Sequence, residues 1–222
     1  MSASSIPNNL TTQTKDSQSA IKPSDAVNML KSGNQRFLDG NVHNRNLHQQ
    51  VKDTAGGQFP HAAIVSCIDS RIPTEVIFDQ GIGDIFNARI AGNFVNEDIL
   101  GSLEFACKLA GSKVIVIMGH TSCGAVKGAC DHAELGNLTQ MLDKIMPAVD
   151  AVETREGEER SSKNLNFVNE VSAKNVEMTI DNVKKNSSVL NEMYENGEID
   201  IVGAMYDVKT GKVTFTDNGE LA

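Results

Sequence analysis

Residues Lys113 to His120 have the sequence KVIVIMGH, and this segment decides the fold. Five apolar residues in a row, bounded by a lysine and a glycine, predict a strand that is buried on both faces. Such strands are typical of parallel sheets that carry helices on both sides. The segment therefore indicates an α/β protein.

Two more segments extend this sheet. His61 to Cys67 (HAAIVSC) is small and apolar and predicts a second buried strand. Asp84 to Ile90 predicts a short strand, and Ile99 to Ala110 predicts a helix that leads on to the strand Lys113 to Met118. A strand, a helix and a further strand form a right-handed βαβ unit, so we expect a mostly parallel sheet.

A hairpin and further helices complete the predicted fold. Ile199 to Tyr206 and Val213 to Thr216, with Gly211 in the turn between them, predict a hairpin at the sheet edge. Ser24 is the predicted cap of a helix that closes at Gly40 and Asn41. Other helices are predicted from Thr121 or Ser122, over residues 135–152 and over residues 164–196.

Length and charge limit the classes of function. A chain of 222 residues with 40% hydrophobic content is typical of one domain with a terminal extension. The net charge of −9 lies in both halves of the chain, which argues against nucleic acid or an anionic membrane as a partner. No apolar run approaches the roughly 20 residues that cross a bilayer, so a transmembrane role is excluded.

The N-terminal residues and the four cysteines indicate in which cellular compartment the protein is expected. Met1 to Ala20 is polar and has no basic start or apolar core, so it is not typical of a secretory signal. We expect residues 1–23 to form a disordered or loosely docked arm and residues 24–222 to form a single domain. Four cysteines, two of them near a histidine, fit a reducing compartment and predict a cytoplasmic protein.

Three metal-binding side chains follow the two buried strands. Cys67 ends the first strand, His120 ends the strongest strand, and Cys123 begins the next helix. Ligand sites of parallel sheets lie beyond the carboxyl ends of strands. Two thiolates and one imidazole would leave a tetrahedral zinc with one open position, which indicates catalysis. Taken alone, His120 and Cys123 would more often be a packed thiol beside a hydrogen-bonded histidine.

The residues after Cys67 strengthen the metal interpretation. In the segment Cys67-Ile68-Asp69-Ser70-Arg71, a carboxylate and a guanidinium follow the cysteine closely and can form a bidentate pair. Without Cys67, a surface ion pair worth about 0–1 kcal/mol would explain them. Beside a metal, Asp69 and Arg71 become candidate acid-base residues.

These motifs resemble those of a known family, the β-class carbonic anhydrases. The resemblance lies in Cys67-x-Asp69-Ser70-Arg71 together with Gly119-His120-x-x-Cys123-Gly124-Ala125. It extends over nearly all of the chain from about Ser24 onward. The further matching segments are Gly33-Asn34-x-Arg36-Phe37, Gly83-Asp84-x-Phe86, Ala91-Gly92-Asn93, Gly101-Ser102-Leu103-Glu104 and Gly203-Ala204-x-Tyr206-Asp207.

The resemblance implies a fold, an assembly and a reaction. The fold is a four-stranded, mainly parallel central sheet with an edge strand, flanked by helices and preceded by an N-terminal helical arm. The assembly is a homodimer, or a dimer of dimers, whose N-terminal helices embrace the partner and whose active sites lie at the subunit boundary. The reaction is the reversible hydration of CO2 to bicarbonate, with one Zn²⁺ per subunit.

The expected mechanism uses a zinc-bound hydroxide as the nucleophile. Two thiolates cancel the charge of the zinc, so we expect less acidification of the bound water than in a three-histidine site and more activity at alkaline pH. Asp69 would aim the nucleophile at CO2, and Arg71 would hold Asp69. If that pair breaks, Asp69 can take the fourth metal position and close the site, a switch that the family implies. The expected substrate pocket comprises Phe86, Val95 and Gly124.

Some family members also bind a regulatory bicarbonate through a tryptophan, an arginine and a tyrosine. Arg89 matches the arginine, but Ile64 stands in the tryptophan position, so we do not expect that site here. Two alternatives to the carbonic anhydrase hypothesis stay open. One is a hydrolase of carbon disulfide or carbonyl sulfide, and the other is a zinc-bearing scaffold protein without turnover.

Overall fold

The computed structural model describes residues 10–217 and 220–221. Its described residues contain one sheet in the order β2-β1-β3-β4-β5-β6. Strands β1 to β4 are mutually parallel, and β5 runs antiparallel to β4. The predicted parallel sheet with an edge strand is therefore confirmed. The strands are β1 Ala62–Ser66, β2 Ile85–Arg89, β3 Val114–His120, β4 Asp200–Tyr206, β5 Val213–Asp217 and the short β6 Glu220–Leu221.

Helices connect the strands and cover the sheet. A π-helical turn, Phe105–Leu109, continues directly from α5. The helices are α1 Lys15–Ala20, α2 Pro23–Leu38, α3 Leu47–Thr54, α4 Thr74–Ile77, α5 Glu97–Glu104, α6 Gly124–Cys130, α7 Gly136–Leu142, α8 Met146–Ala151, α9 Leu165–Asn186 and α10 Ser188–Glu195. Among the described residues, no helix has both the length and the apolar character needed to cross a bilayer.

Strands β1 and β3 are buried on both faces, as their apolar sequences predicted. All seven residues of β3 are buried. Ile64 and Val116 belong to one core cluster, whereas their strand neighbours Val65 and Ile117 belong to the other. This alternation follows from the two-residue period of a strand. Helix α9 contributes residues to both clusters, and it therefore lies close to the central strands.

Several predicted helix boundaries are wrong. Lys22, not Ser24, is the N-cap of α2, and the Asp25 carboxylate accepts the Lys22 N–H at 3.2 Å. Helix α6 begins at Gly124 because Ser122 has a φ of 56° and cannot be helical.

The predicted helix 135–152 is split into α7 and α8, and the predicted helix 164–196 is split at Ser187. The Ser187 hydroxyl caps α10 by accepting the Leu190 N–H.

The described part of the N-terminal arm packs against the domain. The side chain of Gln18 in α1 is buried and donates to the carbonyls of Pro60 and Ala110 at 2.7 and 2.9 Å. Ile21 is also buried. Residues 15–21 are therefore neither disordered nor loosely docked. Residues 1–9 lie outside the described residues, and the arm boundary after residue 23 stays a prediction.

Candidate metal centre

The parallel pairing of β1 and β3 brings the predicted ligands to one edge of the sheet. Cys67 directly follows β1, His120 is the last residue of β3, and Cys123 is the N-cap of α6. Ser66 pairs with Met118, so the two strands end almost level. All three side chains are buried, with at most 3% of their surface exposed. The three positions that the sequence separates therefore converge in space.

The distances between these side chains fit a metal ion. The ligand atoms of Cys67, His120 and Cys123 all lie within 4.8 Å of one another. The two sulfur atoms are 3.9 Å apart. A tetrahedral zinc with Zn–S bonds of about 2.3 Å places its sulfur ligands about 3.8 Å apart. The residues present therefore fit a metal ion with nitrogen and sulfur ligands.

The His120 ring is oriented by its neighbour. Its Nδ1 lies 3.0 Å from the carbonyl oxygen of Thr121, to which a protonated Nδ1 donates. In that tautomer Nε2 carries a lone pair. Nε2 is buried and has no hydrogen-bond partner among the described residues. A buried nitrogen without a partner is costly, and a metal ion would satisfy it.

The two thiols affect each other's pKa in opposite directions. A hydrogen bond from Cys123 lowers the pKa of Cys67, and His120 and the Gly92 N–H, 3.4 Å from Cys67 Sγ, lower it further. The same pairing, followed by burial, raises the pKa of Cys123. A cation bound between the two sulfurs would favour the thiolate form of both.

The start of α6 acts on the pKa of Cys123, but stronger effects oppose it. The N–H groups of Ala125 and Val126 act to lower the pKa of the Cys123 thiol, as expected at a helix N-terminus. The hydrogen bond with Cys67 and the burial of the thiol outweigh them and raise the pKa of Cys123.

Asp69 and Arg71 form the predicted bidentate pair beside the ligands. Arg71 Nε donates to Asp69 Oδ1 at 2.9 Å, and Arg71 Nη2 donates to Oδ2 at 2.7 Å. These contacts, chiefly the side-chain hydrogen bonds, hold the pKa of Asp69 well below its usual range. Asp69 Oδ2 is 4.0 Å from His120 Nε2. An ionised carboxylate therefore lies at the edge of the ligand group.

Arg89 supports the loop that carries Cys67 and Asp69. Its Nε donates to the carbonyl of Cys67 at 3.0 Å, and its Nη2 donates to the carbonyl of Asp69 at 2.6 Å. Ile64, in the tryptophan position of the regulatory motif, is fully buried in β1. Arg89 is thus engaged with backbone carbonyls next to the ligands.

A small cavity of about 270 Å³ adjoins Cys67 and Asp69. Gly124 lines it, as predicted, but Phe86 and Val95 do not. Phe86 lines a second cavity of about 500 Å³, where its ring packs edge-on against Phe105. Val95 packs against the core cluster on the opposite face of the sheet from Ile64. Within one chain, Phe86 and Val95 therefore do not line this cavity, and their part in a substrate pocket stays a prediction.

Helix α7 supplies walls that sequence reasoning missed. Leu138, Met141 and Leu142 line the cavity together with Ala91, Ala125 and Gly128. The sequence predicted a helix in this region but carries no signal that this helix turns back onto the metal-binding loop. Small residues at Ala91, Gly124 and Ala125 were visible in the quoted motifs. They leave room beside the sulfur atoms.

Comparison with known sequences identifies the family. A family model described as "Carbonic anhydrase" matches residues 62–213. "Carbonic anhydrase 2" of Mycobacterium tuberculosis is 34% identical over 204 residues, covering 88% of this chain and 94% of the relative. The carbonic anhydrase of Mycolicibacterium smegmatis is 32% identical over 197 residues, covering 86% and 92%. The chain therefore belongs to the carbonic anhydrase family.

Solved structures place its fold in the β class. The β-carbonic anhydrase CafA of Aspergillus fumigatus superposes with a TM-score of 0.66 at 24% identity, covering 87% of this chain and 90% of that one. A tetrameric β-carbonic anhydrase of Sordaria macrospora also gives a TM-score of 0.66 at 24% identity, covering 83% and 93%. Together with the sequence relatives, these matches make the protein a carbonate dehydratase of the β class.

The ligand geometry predicts a selective effect of cysteine replacement. Cys67→Ala removes one of the three ligand atoms, so we expect zinc content to fall from about one ion per chain to well below half. Cys107→Ala is the matched control, because Cys107 is also a buried, free cysteine but lies in the π-helical turn. Zinc is measured by atomic emission after dialysis. Equal zinc contents in the two variants would contradict the assignment of Cys67 as a zinc ligand.

Proposed function

We propose that this protein is a zinc enzyme that reversibly hydrates CO2 to bicarbonate, with Cys67, His120 and Cys123 as the zinc ligands. The observation that supports the proposal most is the convergence of two buried sulfurs and one buried, unpartnered nitrogen beside a small cavity. Nitrogen and sulfur ligands in a tetrahedral arrangement favour zinc over magnesium or calcium. Three protein ligands leave the fourth coordination position of a tetrahedral zinc to solvent and substrate.

Zinc bound in this site would act as a Lewis acid that lowers the pKa of a coordinated water and supplies a nucleophile near neutral pH. The chain provides the remaining functions. Asp69 accepts a hydrogen bond from the reacting water and fixes its orientation. Arg71 keeps Asp69 ionised and in place through two hydrogen bonds. The apolar side chains of α7 and Ala125 form a wall against which CO2 can rest.

We further propose that the enzyme works as a homodimer, or as a dimer of dimers. Large apolar side chains are exposed on the single chain near the site and near the Phe86 cavity. Examples are Ile68, Phe105 and Leu109, with exposures of 61%, 51% and 77%. If Phe86 and Val95 contribute to a pocket, they do so across a subunit boundary, since within one chain they lie away from Cys67. A cytoplasmic location stays a prediction from the cysteine usage.

The dimer proposal predicts the mass of the assembly and a residue at which a substitution should weaken it. Sedimentation equilibrium of the wild type should give at least twice the chain mass of 23.9 kDa. Phe105→Asp should shift the equilibrium toward the monomer, because a buried interface charge without a partner costs several kcal/mol. A wild-type mass of one chain at micromolar concentration would refute the proposal. An unchanged mass for the variant would place the interface elsewhere.

The reaction itself is tested by stopped-flow CO2 hydration with and without a zinc chelator. We expect hydration that increases from neutral to alkaline pH, because two thiolates moderate the acidifying effect of the zinc. Removal of zinc should abolish CO2 hydration, and added zinc should restore it. Carbonyl sulfide and carbon disulfide serve as alternative substrates in the same assay. Preference for either sulfur compound would replace the proposed substrate, and zinc binding without any turnover would support the scaffold alternative.

The Asp69–Arg71 pair predicts a graded series of variants. Arg71→Ala should lower CO2 hydration by about 10-fold or more, because Asp69 loses the partner that holds it. It should also favour Asp69 on the metal, which is visible as a changed absorption spectrum after cobalt substitution. The CO2 hydration activity of Arg71→Lys should lie between the activities of the wild type and Arg71→Ala, since lysine keeps the charge but lacks the two-pronged set of guanidinium donors.

Lys174→Ala is the matched control for this series. It breaks an exposed ion pair with Glu177, 2.9 Å long, on α9. Such pairs contribute little, so activity and spectrum should match the wild type. A fully active Arg71→Ala variant with an unchanged cobalt spectrum would contradict the role given to this pair.

A further inference from the structure

Helix α9 passes behind the proposed metal centre and sends two asparagine side chains toward it. Asn175 is buried, with 3% of its surface exposed, and its Nδ2 donates to the carbonyl of Gly92 at 2.7 Å. Asn169 Oδ1 accepts the backbone N–H of Ser122 at 2.9 Å. Six residues of helix span about 9 Å, so the two amides reach different loops.

We infer that Asn169 and Asn175 are positioning residues for the metal ligands and that each acts through the backbone of a ligand-bearing or ligand-contacting loop. This inference rests on the proposed zinc site. Asn175 acts on Cys67 through Gly92. Asn169 acts on His120 and Cys123 through Ser122.

The first connection runs from Asn175 to a sulfur atom. The Gly92 N–H donates to Cys67 Sγ at 3.4 Å, so the position of the Gly92 backbone bears directly on this sulfur. Gly92 has a φ of 82°, and a Cβ there would lie 2.4 Å from Ile145 Cδ1. The loop is therefore confined on one side by packing and on the other by the Asn175 amide. Without that amide, the buried Gly92 carbonyl loses its donor at a cost of about 1–3 kcal/mol.

The second connection fixes the turn between two ligands. Ser122 lies between His120 and Cys123 and has a φ of 56°, in the left-handed region. A residue other than glycine is held there at a cost of about 1–3 kcal/mol, so the surrounding structure must compensate. The hydrogen bond from the Ser122 N–H to Asn169 provides part of that compensation. It therefore fixes the direction in which Cys123 leaves the strand.

Helix α9 is rigid enough to serve as a reference for both loops. It has 22 residues and packs into both core clusters. It also approaches β3 closely at Gly119, the neighbour of His120, where a Cβ would lie 2.8 Å from Val176 Cγ2. Hydrogen bonds that orient metal ligands typically change metal affinity by about 10- to 100-fold when removed.

The two asparagines have opposite hydrogen-bonding roles, and this gives a sharp test. Asparagine and aspartate have nearly the same shape, but ionised aspartate accepts hydrogen bonds and does not donate them. Asn169→Asp keeps the acceptor for the Ser122 N–H, so zinc affinity should stay within about threefold of wild type. Asn175→Asp loses the donor to Gly92, so zinc affinity should fall by about 10-fold or more. Alanine at either position should cause a loss of similar size.

The measurements separate positioning from simple stability. Zinc dissociation constants come from chelator competition, and the thiolate-to-metal charge-transfer bands are recorded after cobalt substitution. Thermal unfolding of the metal-free proteins reports the fold. Ser172→Ala is the matched control, because the buried Ser172 hydroxyl on the same helix donates to the Val168 carbonyl of its own helix. Its zinc affinity and cobalt spectrum should match the wild type.

The inference is supported if Asn175→Asp and the alanine variants lose zinc affinity and change the cobalt spectrum while Asn169→Asp does not. It is overturned if these variants only lower the unfolding temperature of the metal-free protein and bind zinc as the wild type does. If Asn175→Asp does not fold, the contrast between Asn169→Ala and Asn169→Asp decides. A wild-type protein that binds no zinc would refute the proposed function as well, so the two failures are distinguishable.

Discussion

The register between β1 and β3 is the constraint on which the site depends. Because these strands are parallel and paired with Ser66 opposite Met118, Cys67 and His120 leave the sheet at the same edge. A register shift of one residue would turn His120 to the opposite face and separate it from Cys67. The convergence of ligands is thus determined by backbone hydrogen bonds, and the side chains contribute the chemistry. This explains why the strand segment KVIVIMGH specifies both the core and one ligand.

Much of the fold and of the ligand set could be predicted from the sequence, because both depend on local patterns. An apolar run that ends in a metal-binding residue identifies a buried strand and its functional end together. The break at Ser187 and the later start of α6 were missed because Ser187 caps a helix and Ser122 adopts a left-handed conformation, and periodicity shows neither. The cavity walls from α7 were missed because they depend on tertiary contact.

Burial divides the site into a buried part and a partly exposed part. The three proposed ligands are almost fully buried at the ends of regular elements, whereas the side chain of Arg71 is 50% exposed on the loop after β1. Half-exposed ion pairs contribute little to stability, so the position of Asp69 depends on a small difference in free energy. The ligands, by contrast, are held by packing and by hydrogen bonds from α9 and Arg89.

This difference in burial has a chemical consequence at the fourth coordination position of the proposed metal. Asp69 Oδ2 lies 4.0 Å from His120 Nε2, so a cation held by the three ligands attracts the same carboxylate that Arg71 holds. Two thiolates weaken that attraction by neutralising the divalent charge, and two hydrogen bonds from Arg71 oppose it. A three-histidine site would leave the metal its full charge and would draw the carboxylate more strongly. In the proposed zinc site, the sulfur ligands would therefore reduce the acidity of a bound water and, by the same charge effect, would help to keep the fourth position free for substrate.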